Sequence, residues 1–440
     1  MKEEVRFIDL FAGMGGLRIG FEQAFNEKGI GTKCVLTSEI KSHAIEALEA
    51  NFEHEKLVGD ITQINENEIE DFDFLLAGFP CQPFSSAGNR LGFDDTRGTL
   101  FFDVARILRA KEPYGFILEN VEGLVKHDLL NKSDEIGNTL NVILNVLKEM
   151  EYNVEWKLLD SKDFGVAQSR NRVYIVGTKK GRVNLDNFKT KRVALEEILQ
   201  SGLETVDSHF TRCLLANYTP EELYGKAIKD KRGGKDNIHS WDIGLKGEVT
   251  DEQKNLLESL FRERRKKKWA EEIGIKWMDG MPLTFKQIQT FNNSENLKEM
   301  LDDLVSKGYL KMEYPKDEML VEVNNVLMKK RVQDETKEIG YNIVAGKLSF
   351  EFTKILNPKE ITPTLVAMDV SKLGVVDNGG IRSLSLREGL RLCGYPETYS
   401  LDFLKNKRNG FDLLGNTVVI NVVHEVASRV AQTYIDSNKK

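Results

Sequence analysis

Residues 8–16 of the chain read IDLFAGMGG and decide its fold, because they run from an apolar strand pattern through a glycine turn into a helical pattern beginning near Leu17. A turn of this kind exposes backbone amides at the N-terminus of a helix, where a cofactor is expected. The stretch departs from the dinucleotide fingerprint Gly-x-Gly-x-x-Gly, because Arg18 occupies the third glycine position. It therefore predicts the first strand, turn and helix of an α/β sheet, and the nature of the cofactor stays open.

Strand and helix patterns alternate up to about Lys180, which predicts a doubly wound, Rossmann-like α/β lobe. The predicted strands are 5–10, 34–37, 74–77, 116–118, 154–159 and 172–177. The last two are expected to pair as an antiparallel edge. The predicted helices are 17–25, 44–50, 101–108, 140–150, 385–392 and 418–433. The apolar residues of the last helix suit docking on the sheet, so the C-terminus is expected to return to the first lobe.

Length and composition bound the class of protein. The chain has 440 residues, of which 40% are hydrophobic and 30% are charged, and its net charge is −7. These values are typical of a soluble globular protein with two lobes, in which any contact with nucleic acid comes from local basic patches. No apolar stretch approaches the roughly 20 residues that span a bilayer. We therefore expect a cytoplasmic protein that does not contact a membrane.

The four cysteines are far apart in sequence, with no Cys-x-x-Cys pair and no histidine placed to complete a metal site, so no metal is expected. Cys34 and Cys393 lie in apolar runs and are predicted to be buried structural thiols, whereas Cys213 has no assigned role. Cys81 differs, because residues 78–85 read GFPCQPFS and hold it on a proline-flanked turn after a buried strand. That placement predicts a nucleophilic thiol.

Acidic residues at successive strand ends indicate which cofactor the glycine turn binds. Glu39 ends the second predicted strand, where its carboxylate can accept hydrogen bonds from both ribose hydroxyls, and Asp60 follows at the next crossover. Asp9 and Phe11 also fit an adenosine, with the phenyl ring facing adenine. The helix start carries no basic group beyond Arg18 that could clamp a pyrophosphate. S-adenosylmethionine therefore fits better than a nicotinamide dinucleotide.

Together these motifs resemble those of the DNA cytosine-5 methyltransferase family, of the bacterial restriction-modification type. They occur in the family's order and cover about 5–180 and 360–435, with the middle of the chain unmatched. The matching motifs are FAGMGG at 11–16, GFPCQPFS at 78–85, ENV at 119–121, QSRNR at 168–172, RE at 387–388, CGYP at 393–396 and GNTV at 415–418. The resemblance implies a Rossmann-like, S-adenosylmethionine-dependent methyltransferase fold with a second, smaller target-recognition domain.

The resemblance also implies a division of the chain. A catalytic domain is expected over 1–190, a target-recognition domain over 191–360, and a return segment over 361–440 that completes the catalytic domain. The predicted cofactor contacts are Phe11, Ala12, Gly13, Met14, Gly15, Gly16, Glu39, Ile40, Asp60, Ile61, Pro80, Leu100, Asn416 and Thr417. The expected partner is duplex DNA, and the protein is expected to act as a monomer, either with a cognate restriction endonuclease or alone.

The chemistry explains why a thiol and an acid are needed together. Carbon 5 of cytosine is too poor a nucleophile to accept a methyl group until a thiolate adds to carbon 6, and Cys81 is the candidate thiol. Glu119 ends a predicted buried strand and is the candidate acid at the ring nitrogen, since burial raises a carboxyl pKa. Arg170 and Arg172 alternate on an extended segment, so one is expected to hold the base carbonyl and the other a phosphate or Glu119. The base that removes the carbon 5 proton stays open, with water or a bound phosphate as alternatives.

Cytosine in a duplex must leave the base stack before it can react. Residues 85–98 are rich in small residues and are predicted to form a mobile closing loop. In and beside this loop, the predicted DNA contacts are Gln82, Ser85 and Arg97. The resemblance adds Thr364, at the point where the chain returns from the middle domain.

The middle domain has no βαβ rhythm and is expected to choose the DNA sequence. Residues 261–270 hold six cations against Glu263, which favours phosphate contact within an acidic protein. The predicted contacts in this run are Arg264, Arg265 and Lys267. Within 284–323, the segments 284–289 and 294–306 are predicted helices, and 309–312 with 319–323 is a predicted β-hairpin. This order fits either a winged helix-turn-helix or an ordinary helical pair with a hairpin. In the winged-helix interpretation, 294–306 enters a major groove.

Three other functions were weighed against this hypothesis. Transfer RNA is an alternative substrate, because one branch of the family acts on it, but the long middle domain argues against it. A DNA-binding regulator without catalysis conflicts with the presence of Cys81, Glu119 and both arginines. A nicotinamide-dependent dehydrogenase conflicts with the sequence, because the turn departs from the Gly-x-Gly-x-x-Gly fingerprint and no basic group is placed to bind a pyrophosphate.

Overall fold

The computed structural model of the chain describes residues 4–53, 56–80, 100–129, 131, 133–230, 236–323, 326–344, 350–367 and 369–439. The chain forms two compact units. Unit 1 comprises Met1–Gln200, Asn357–Ser371 and Leu384–Lys440, and unit 2 comprises Ser201–Leu356 and Lys372–Ser383. The units therefore divide at points other than 190 and 360, and 372–383, which the sequence analysis placed in the return segment, lies in unit 2.

The strands are β1 (Glu4–Leu10), β2 (Gly31–Ser38), β3 (Leu57–Val58), β4 (Phe74–Ala77), β5 (Gly115–Val121), β6 (Asn153–Asp160), β7 (Asn171–Thr178), β8 (Ala227–Ile228), β9 (Asn237–Ile238), β10 (Leu310–Glu313), β11 (Lys316–Val323), β12 (Val326–Gln333), β13 (Gly340–Ile343), β14 (Lys354–Ile355), β15 (Leu373–Asp377) and β16 (Gly380–Ser383). The α-helices are α1 (Gly16–Glu27), α2 (Ser42–Asn51), α3 (Leu100–Lys111), α4 (Asn138–Glu149), α5 (His209–Asn217), α6 (Pro220–Leu223), α7 (Asp251–Glu263), α8 (Lys268–Ile273), α9 (Phe285–Gln289), α10 (Leu297–Ser306), α11 (Leu386–Leu392), α12 (Lys407–Asn416) and α13 (Ile420–Asn438).

Unit 1 is built on a seven-stranded sheet in the order β3-β2-β1-β4-β5-β7-β6. Strands β1 to β5 are parallel to their neighbours among themselves, whereas β7 runs antiparallel to both β5 and β6. This topology confirms the predicted doubly wound α/β fold and its antiparallel edge. Two elements of this unit escaped prediction, β3 because two residues carry no periodic pattern, and α12 because it begins with the polar run KRNG.

Both faces of the sheet are covered, which explains its continuous apolar strands. Val5 and Phe7 belong to the apolar cluster that includes residues of α1 and α13, whereas Ile8 and Leu10 belong to the cluster that includes residues of α3 and α4. The C-terminal helix α13 therefore returns to the first lobe, as predicted. Cys34 and Cys393 are buried, also as predicted. No helix within the described ranges is long and apolar enough to cross a membrane.

Unit 2 contains a five-stranded sheet in the order β16-β15-β14-β8-β9. Strands β15 and β16 join this sheet through β14, and this pairing places 372–383 in unit 2. A separate apolar cluster draws residues from α7, α9 and α10 together with Trp241 and Tyr309. Unit 2 therefore has a core of its own.

The hairpin predicted between 309–312 and 319–323 is wrong. Strand β10 pairs antiparallel with β13, and β11 pairs antiparallel with β12 to form a two-stranded sheet of their own. The helix, helix, strand order of a winged helix is present in α9, α10 and β10, but the strand that completes it is β13. Sequence proximity favoured the nearer strand, because nothing in the local pattern shows that β11 and β12 form an insertion.

Candidate active site

A cavity of about 510 Å³ lies in unit 1, where the C-terminal ends of the parallel strands meet. Small-molecule sites commonly measure roughly 300–1,000 Å³. The cavity is lined by Phe11, Gly13, Met14, Ser38, Glu39, Ile40, Lys41, Ala44, Asp60, Ile61, Thr62, Gly78, Phe79, Pro80, Leu100, Glu119, Asn120, Val121, Arg170, Arg172, Leu413, Gly415, Asn416 and Thr417. The strand ends β1, β2, β4 and β5 all contribute to it, together with the C-terminal part of α12.

The turn after β1 shapes one wall of the cavity. Phe11 and Gly13 adopt left-handed backbone conformations, with φ of 54° and 57°. The amide of Ala12 donates to the carbonyl of Ser38 over 3.0 Å, which ties the turn to the end of β2. The left-handed backbone conformation favours glycine at position 13. A Cβ atom at Gly13 would meet no atom within 4 Å, so the space above the turn is open.

Glu39 is held by the backbone in the position predicted for a ribose acceptor. Its Oε2 accepts from the Gly13 amide over 2.7 Å, and its Oε1 accepts from the amides of Ile40 and Lys41 over 2.8 and 2.9 Å. A carboxylate oxygen has two lone pairs, so Oε2 keeps one free for a hydroxyl of a ligand. The carboxylate therefore acts as a fixed acceptor at the cavity wall.

The next part of the wall combines an ionised acid with an exposed apolar side chain. Hydrogen bonds to Thr62 lower the pKa of Asp60, whose Oδ1 accepts from the Thr62 amide over 3.0 Å. Ile40 is 71% exposed although it lines the cavity, and the buried Ile61 lines the cavity as well. This combination suits an aromatic ring that carries a hydrogen-bond donor at its edge.

Eleven of the fourteen predicted cofactor contacts line the cavity, and Ala12, Gly15 and Gly16 do not. A Cβ at Gly15 would meet the Phe52 ring at 2.5 Å, and one at Gly16 would meet Val418 at 2.7 Å. These glycines therefore allow close packing of α1, and their contact with a ligand stays a prediction. Asp9 is withdrawn as an adenosine contact, because its carboxyl is fully buried with no hydrogen-bond partner among the described residues.

Glu119 lies near the C-terminal end of β5 and forms an ion pair with Arg172. Arg172 Nε lies 3.0 Å from Glu119 Oε1, and Glu119 is only 9% exposed. Burial raises the pKa of Glu119, while Arg172 and Arg170 oppose the rise. The neighbouring Asn120 donates from Nδ2 to the Phe79 carbonyl over 2.8 Å, which joins the end of β5 to the segment after β4. The site thus holds a carboxyl whose protonated form is favoured by burial.

Arg170 lines the same cavity as Arg172, and its two terminal nitrogens have backbone acceptors. Its Nη1 donates to the Leu365 carbonyl over 2.9 Å and its Nη2 donates to the Gly415 carbonyl over 3.0 Å. The side chain is only 3% exposed. Arg170 therefore fastens two returning segments of unit 1 beside the cavity, and Arg172 is the arginine that holds Glu119.

The predicted nucleophile Cys81 lies outside the described residues, as do Gln82, Ser85, Arg97 and the predicted closing loop 85–98. The described chain ends at Pro80 and begins again at Leu100, and both of these residues line the cavity. The segment that contains Cys81 is therefore connected to the cavity at both ends.

A charged network at the rim was missed by the sequence analysis. Asp412 of α12 accepts from Lys41 Nζ over 3.2 Å, lies 2.9 Å from His43 Nε2, and accepts from Asn416 Nδ2 over 3.1 Å. Lys41 and Asn416 both line the cavity. We call Lys41, His43, Asp412 and Asn416 the rim network. No spacing rule connects residues that lie about 370 positions apart in sequence.

The predicted DNA contacts outside the closing loop are only partly accessible. Arg264 Nη1 donates to Asn342 Oδ1 over 2.7 Å inside unit 2, and Arg265 Nε lies 3.2 Å from Asp279 Oδ1. Thr364 donates its hydroxyl to the Ser169 carbonyl over 2.7 Å. Arg264 therefore has an acceptor within unit 2, whereas Lys267 is exposed, and the DNA contacts of both stay predictions.

Comparisons with known proteins agree with this geometry. A family model described as C-5 cytosine-specific DNA methylase matches residues 5–432. The chain belongs to this family. The type II methyltransferase M.NlaIV of Neisseria lactamica is 56% identical to the methylase over 431 residues, which is 98% of this chain and 100% of the relative. M.BanI of Aneurinibacillus aneurinilyticus is 38% identical over 457 residues, with 98% and 97% coverage.

A solved structure supports the fold of the methylase. The Dnmt2 methyltransferase of S. pombe matches with a TM-score of 0.51 and 14% identity, covering 99% of this chain and 100% of that one. The methylase is thus an S-adenosylmethionine-dependent enzyme that methylates carbon 5 of cytosine in duplex DNA.

The cavity fits such a cofactor. Glu39 and Asp60 supply acceptors, and Phe11 and Ile40 supply apolar surface, while the lining cations Lys41, Arg170 and Arg172 already bind protein acceptors. The described lining therefore suits a ligand without a pyrophosphate.

Proposed function

We propose that the enzyme methylates one cytosine of a specific duplex site through a covalent bond between Cys81 and carbon 6. The observation that carries the proposal is the buried pair of Glu119 and Arg172 in a cavity that Pro80, the residue before Cys81, also lines. A carboxyl with a raised pKa in this cavity matches the need for an acid at the ring nitrogen.

In the proposed reaction, Cys81 forms and breaks the covalent bond to the base, and Glu119 gives and takes back one proton. The Cys81 thiolate forms a bond to carbon 6, the electron pair of the 5,6 double bond forms a double bond between carbons 4 and 5, and the pair released onto nitrogen 3 accepts a proton from Glu119. Carbon 5 then has the electron density needed to form a new bond. When bound, S-adenosylmethionine would supply the electrophilic methyl group and leave as S-adenosylhomocysteine. Loss of the carbon 5 proton to a base restores the double bond, expels the Cys81 sulfur, and nitrogen 3 returns its proton to Glu119.

The cofactor contacts follow from the cavity wall. Glu39 is proposed to accept from the ribose hydroxyls and Asp60 from the adenine amino group, with Phe11 and Ile40 on the ring faces. The remaining proposed contacts are Gly13, Met14, Ile61, Pro80, Leu100, Asn416 and Thr417. None of these proposed contacts requires a cation that would bind a phosphate group.

The two arginines are proposed to act at different distances from the base. Arg172 orients Glu119 and is close enough to the cavity to contact the flipped cytosine. Arg170 is proposed as a positioning residue, because its Nη1 and Nη2 donate to the carbonyls of Leu365 and Gly415, although its buried Nε has no hydrogen-bond partner among the described residues. Unit 2 is proposed to be the target-recognition domain. The relatives' designation as type II methyltransferases supports a cognate restriction endonuclease as partner. The methylase itself is proposed to act as a monomer.

The test uses labelled S-adenosylmethionine with duplex DNA or transfer RNA. We expect label on DNA alone, loss of label with Cys81→Ala, and full activity with Cys213→Ala, which removes a partly exposed thiol of unit 2. A duplex with 5-fluorocytosine at the site should trap the wild-type protein in a complex stable to detergent, because fluorine cannot leave as a proton does. Undiminished labelling by Cys81→Ala would contradict the covalent step.

A further inference from the structure

The helix predicted to read DNA carries the wrong charge for that role. Glu299 and Asp302 are exposed on α10, and Lys298 is paired with Asp302 over 2.6 Å. Counting Asp303, the helix carries three carboxylates against one lysine. Such a surface repels phosphates, so the prediction that 294–306 enters a major groove is not supported by the electrostatics of the helix.

The basic run 261–270 is also less available than its sequence indicates. Arg264 is bonded to Asn342, and Lys266 lies 2.6 Å from Glu263. Lys268 Nζ lies 3.9 Å from the other oxygen of Glu263. Much of this positive charge is therefore balanced within unit 2.

The hairpin formed by β11 and β12, which we call the ribbon, is different. It is a two-stranded sheet with no third strand among the described residues. Met319 lies opposite Lys330 and Leu320 lies opposite Lys329 in the antiparallel register. Because successive residues of a strand point to opposite faces, each face of the ribbon carries one of these apolar residues beside a lysine.

These side chains are exposed to an unusual degree. Leu320 is 66% exposed and Met319 is 40% exposed, and Met328 and Val332 on the other strand are 55% and 37% exposed. Lys329 and Lys330 are exposed as well. Seven of the thirteen large apolar residues found exposed in the described chain fall between Trp277 and Ile339. An exposed apolar surface of this kind marks a binding site.

The base of the ribbon is firmly anchored. Arg331 donates from Nη1 to the Lys276 carbonyl over 3.3 Å and from Nη2 to the Trp277 carbonyl over 3.0 Å. Lys276 Nζ in turn lies 2.6 Å from Glu318. Trp277 is itself 38% exposed, with Lys267 Nζ 5.8 Å from its ring centroid. The ribbon thus projects from a base that adds an aromatic face and a further cation.

We propose that the ribbon enters a groove of the DNA substrate, where Lys329 and Lys330 contact phosphates or guanine edges and Met319 and Leu320 contact apolar base edges such as thymine methyl groups. The major groove admits a two-stranded ribbon, and both of its walls would meet a face of this one. By the same register Met328 and Val332 share the face of Met319, whereas Leu320 lies on the opposite face. A protein partner that covered the Met319 face would therefore leave Leu320, which is 66% exposed, in water. The proposal rests on duplex DNA being the substrate, and it assigns sequence discrimination to the ribbon rather than to α10.

The test measures binding of the full chain to a fluorescent duplex that contains its methylation site, mapped beforehand by bisulfite sequencing. For Lys329→Ala/Lys330→Ala we expect at least about tenfold weaker binding near physiological salt, and a slope of log affinity against log salt reduced by about 2. For Met319→Ser/Leu320→Ser we expect the ratio of specific to non-specific affinity to fall by about tenfold with little change of that slope.

The matched control is Lys286→Ala/Lys298→Ala, which removes two exposed lysines from α9 and α10. Binding of S-adenosylmethionine within twofold of wild type shows that each variant is folded. The proposal is overturned if the ribbon variants bind DNA as the control does, or if they change only the sedimentation behaviour of the protein, which would assign the ribbon to a protein interface. Failure of the wild-type protein to label DNA would instead refute the proposed methyl transfer.

Discussion

The two halves of the cavity in unit 1 hold negative charge by opposite means. In the cofactor half, Glu39 accepts from three backbone amides, and hydrogen bonds to Thr62 lower the pKa of Asp60. In the catalytic half, Glu119 is buried against Arg172, and burial raises its pKa. The first half offers permanent acceptors, whereas the second holds a carboxyl that can exchange a proton. Binding and chemistry are thereby separated within one cavity.

This difference predicts a separation in kinetics. Changes in the cofactor half should raise the KM for S-adenosylmethionine, because its acceptors contact the cofactor in the ground state and in the transition state alike. Changes in the catalytic half should lower kcat. Variants that mix the two effects would break the comparison.

The largest effect is expected for Glu119→Gln. Glutamine preserves the size of the side chain but has no acidic proton to give to the ring, so kcat should fall by roughly 10²–10⁴-fold, the range for a general acid. The Kd for S-adenosylmethionine should stay within about threefold. Single-turnover transfer of labelled methyl groups, with cofactor binding measured separately, distinguishes the two quantities.

The control is Glu122→Gln, an exposed carboxylate just beyond β5 that accepts from Asn171 over 3.2 Å. Its kcat should stay near the wild-type value. Equal losses in both variants would show that charge near β5, rather than the proton of Glu119, controls the rate.

The next effect concerns stability and separates the two arginines. Arg170→Met should lower the free energy of unfolding by about 2–4 kcal/mol, because the buried carbonyls of Leu365 and Gly415 lose their donors. Arg172→Met should mainly lower kcat, and its loss of unfolding free energy should be smaller than that of Arg170→Met. Urea unfolding beside single-turnover kinetics measures both. A stable Arg170→Met that is as inactive as Arg172→Met would place Arg170 at the substrate.

The parts of the site predicted from the sequence are those fixed by the sheet. Glu39, Asp60 and Glu119 were predicted because each follows a strand of a parallel sheet, and such strand ends meet at one edge. The family motifs added Asn416 and Thr417, which no local pattern connects to the turn after β1. Strand and helix periodicity was therefore sufficient to predict the fold and about half of the cavity lining.

The parts that escaped prediction depend on side-chain partners distant in sequence. Alternation on an extended segment placed Arg170 and Arg172 on one side, but only their acceptors show that one is structural. The basic run 261–270 looked like a phosphate site because the carboxylates and amides that bind its cations, such as Asn342, are remote. The pairing of β10 with β13 was missed for the same reason.

A third carboxyl, that of Asp9, is buried in the same unit and should make the free energy of unfolding depend on pH. Burial raises the pKa of Asp9 to about 8, with Arg18 opposing and Glu22 and Glu39 adding to the rise. An unfolded aspartate titrates near about 3.9, so between these values the folded chain holds one more proton than the unfolded chain. This group's contribution therefore falls as pH rises, by up to about 1.4 kcal/mol per pH unit, and levels off above the folded pKa.

Asp9→Asn should remove that slope, since an amide does not titrate. The measurement is urea unfolding of both proteins from pH 5 to 9, compared as a difference, with the exposed Asp60→Asn as control. A wild-type protein and Asp9→Asn with parallel pH profiles would show that Asp9 is ionised in the folded state and has a partner.

The smallest effect is expected at the rim network. Asp412→Asn removes the charge that holds Lys41 and His43 against α12, while an amide oxygen can still accept from Asn416. Because these side chains are partly exposed, we expect a loss of about 0.5–1 kcal/mol of cofactor binding free energy, which is roughly a twofold to fivefold rise in the KM for S-adenosylmethionine with kcat unchanged. The difference from wild type should shrink in high salt, since screening weakens exposed ion pairs. Asp402→Asn, an exposed aspartate that accepts only from Ser400 nearby, should leave the KM unchanged. A fall in kcat for Asp412→Asn would mean that α12 also positions the catalytic half, and the two halves would then act as one.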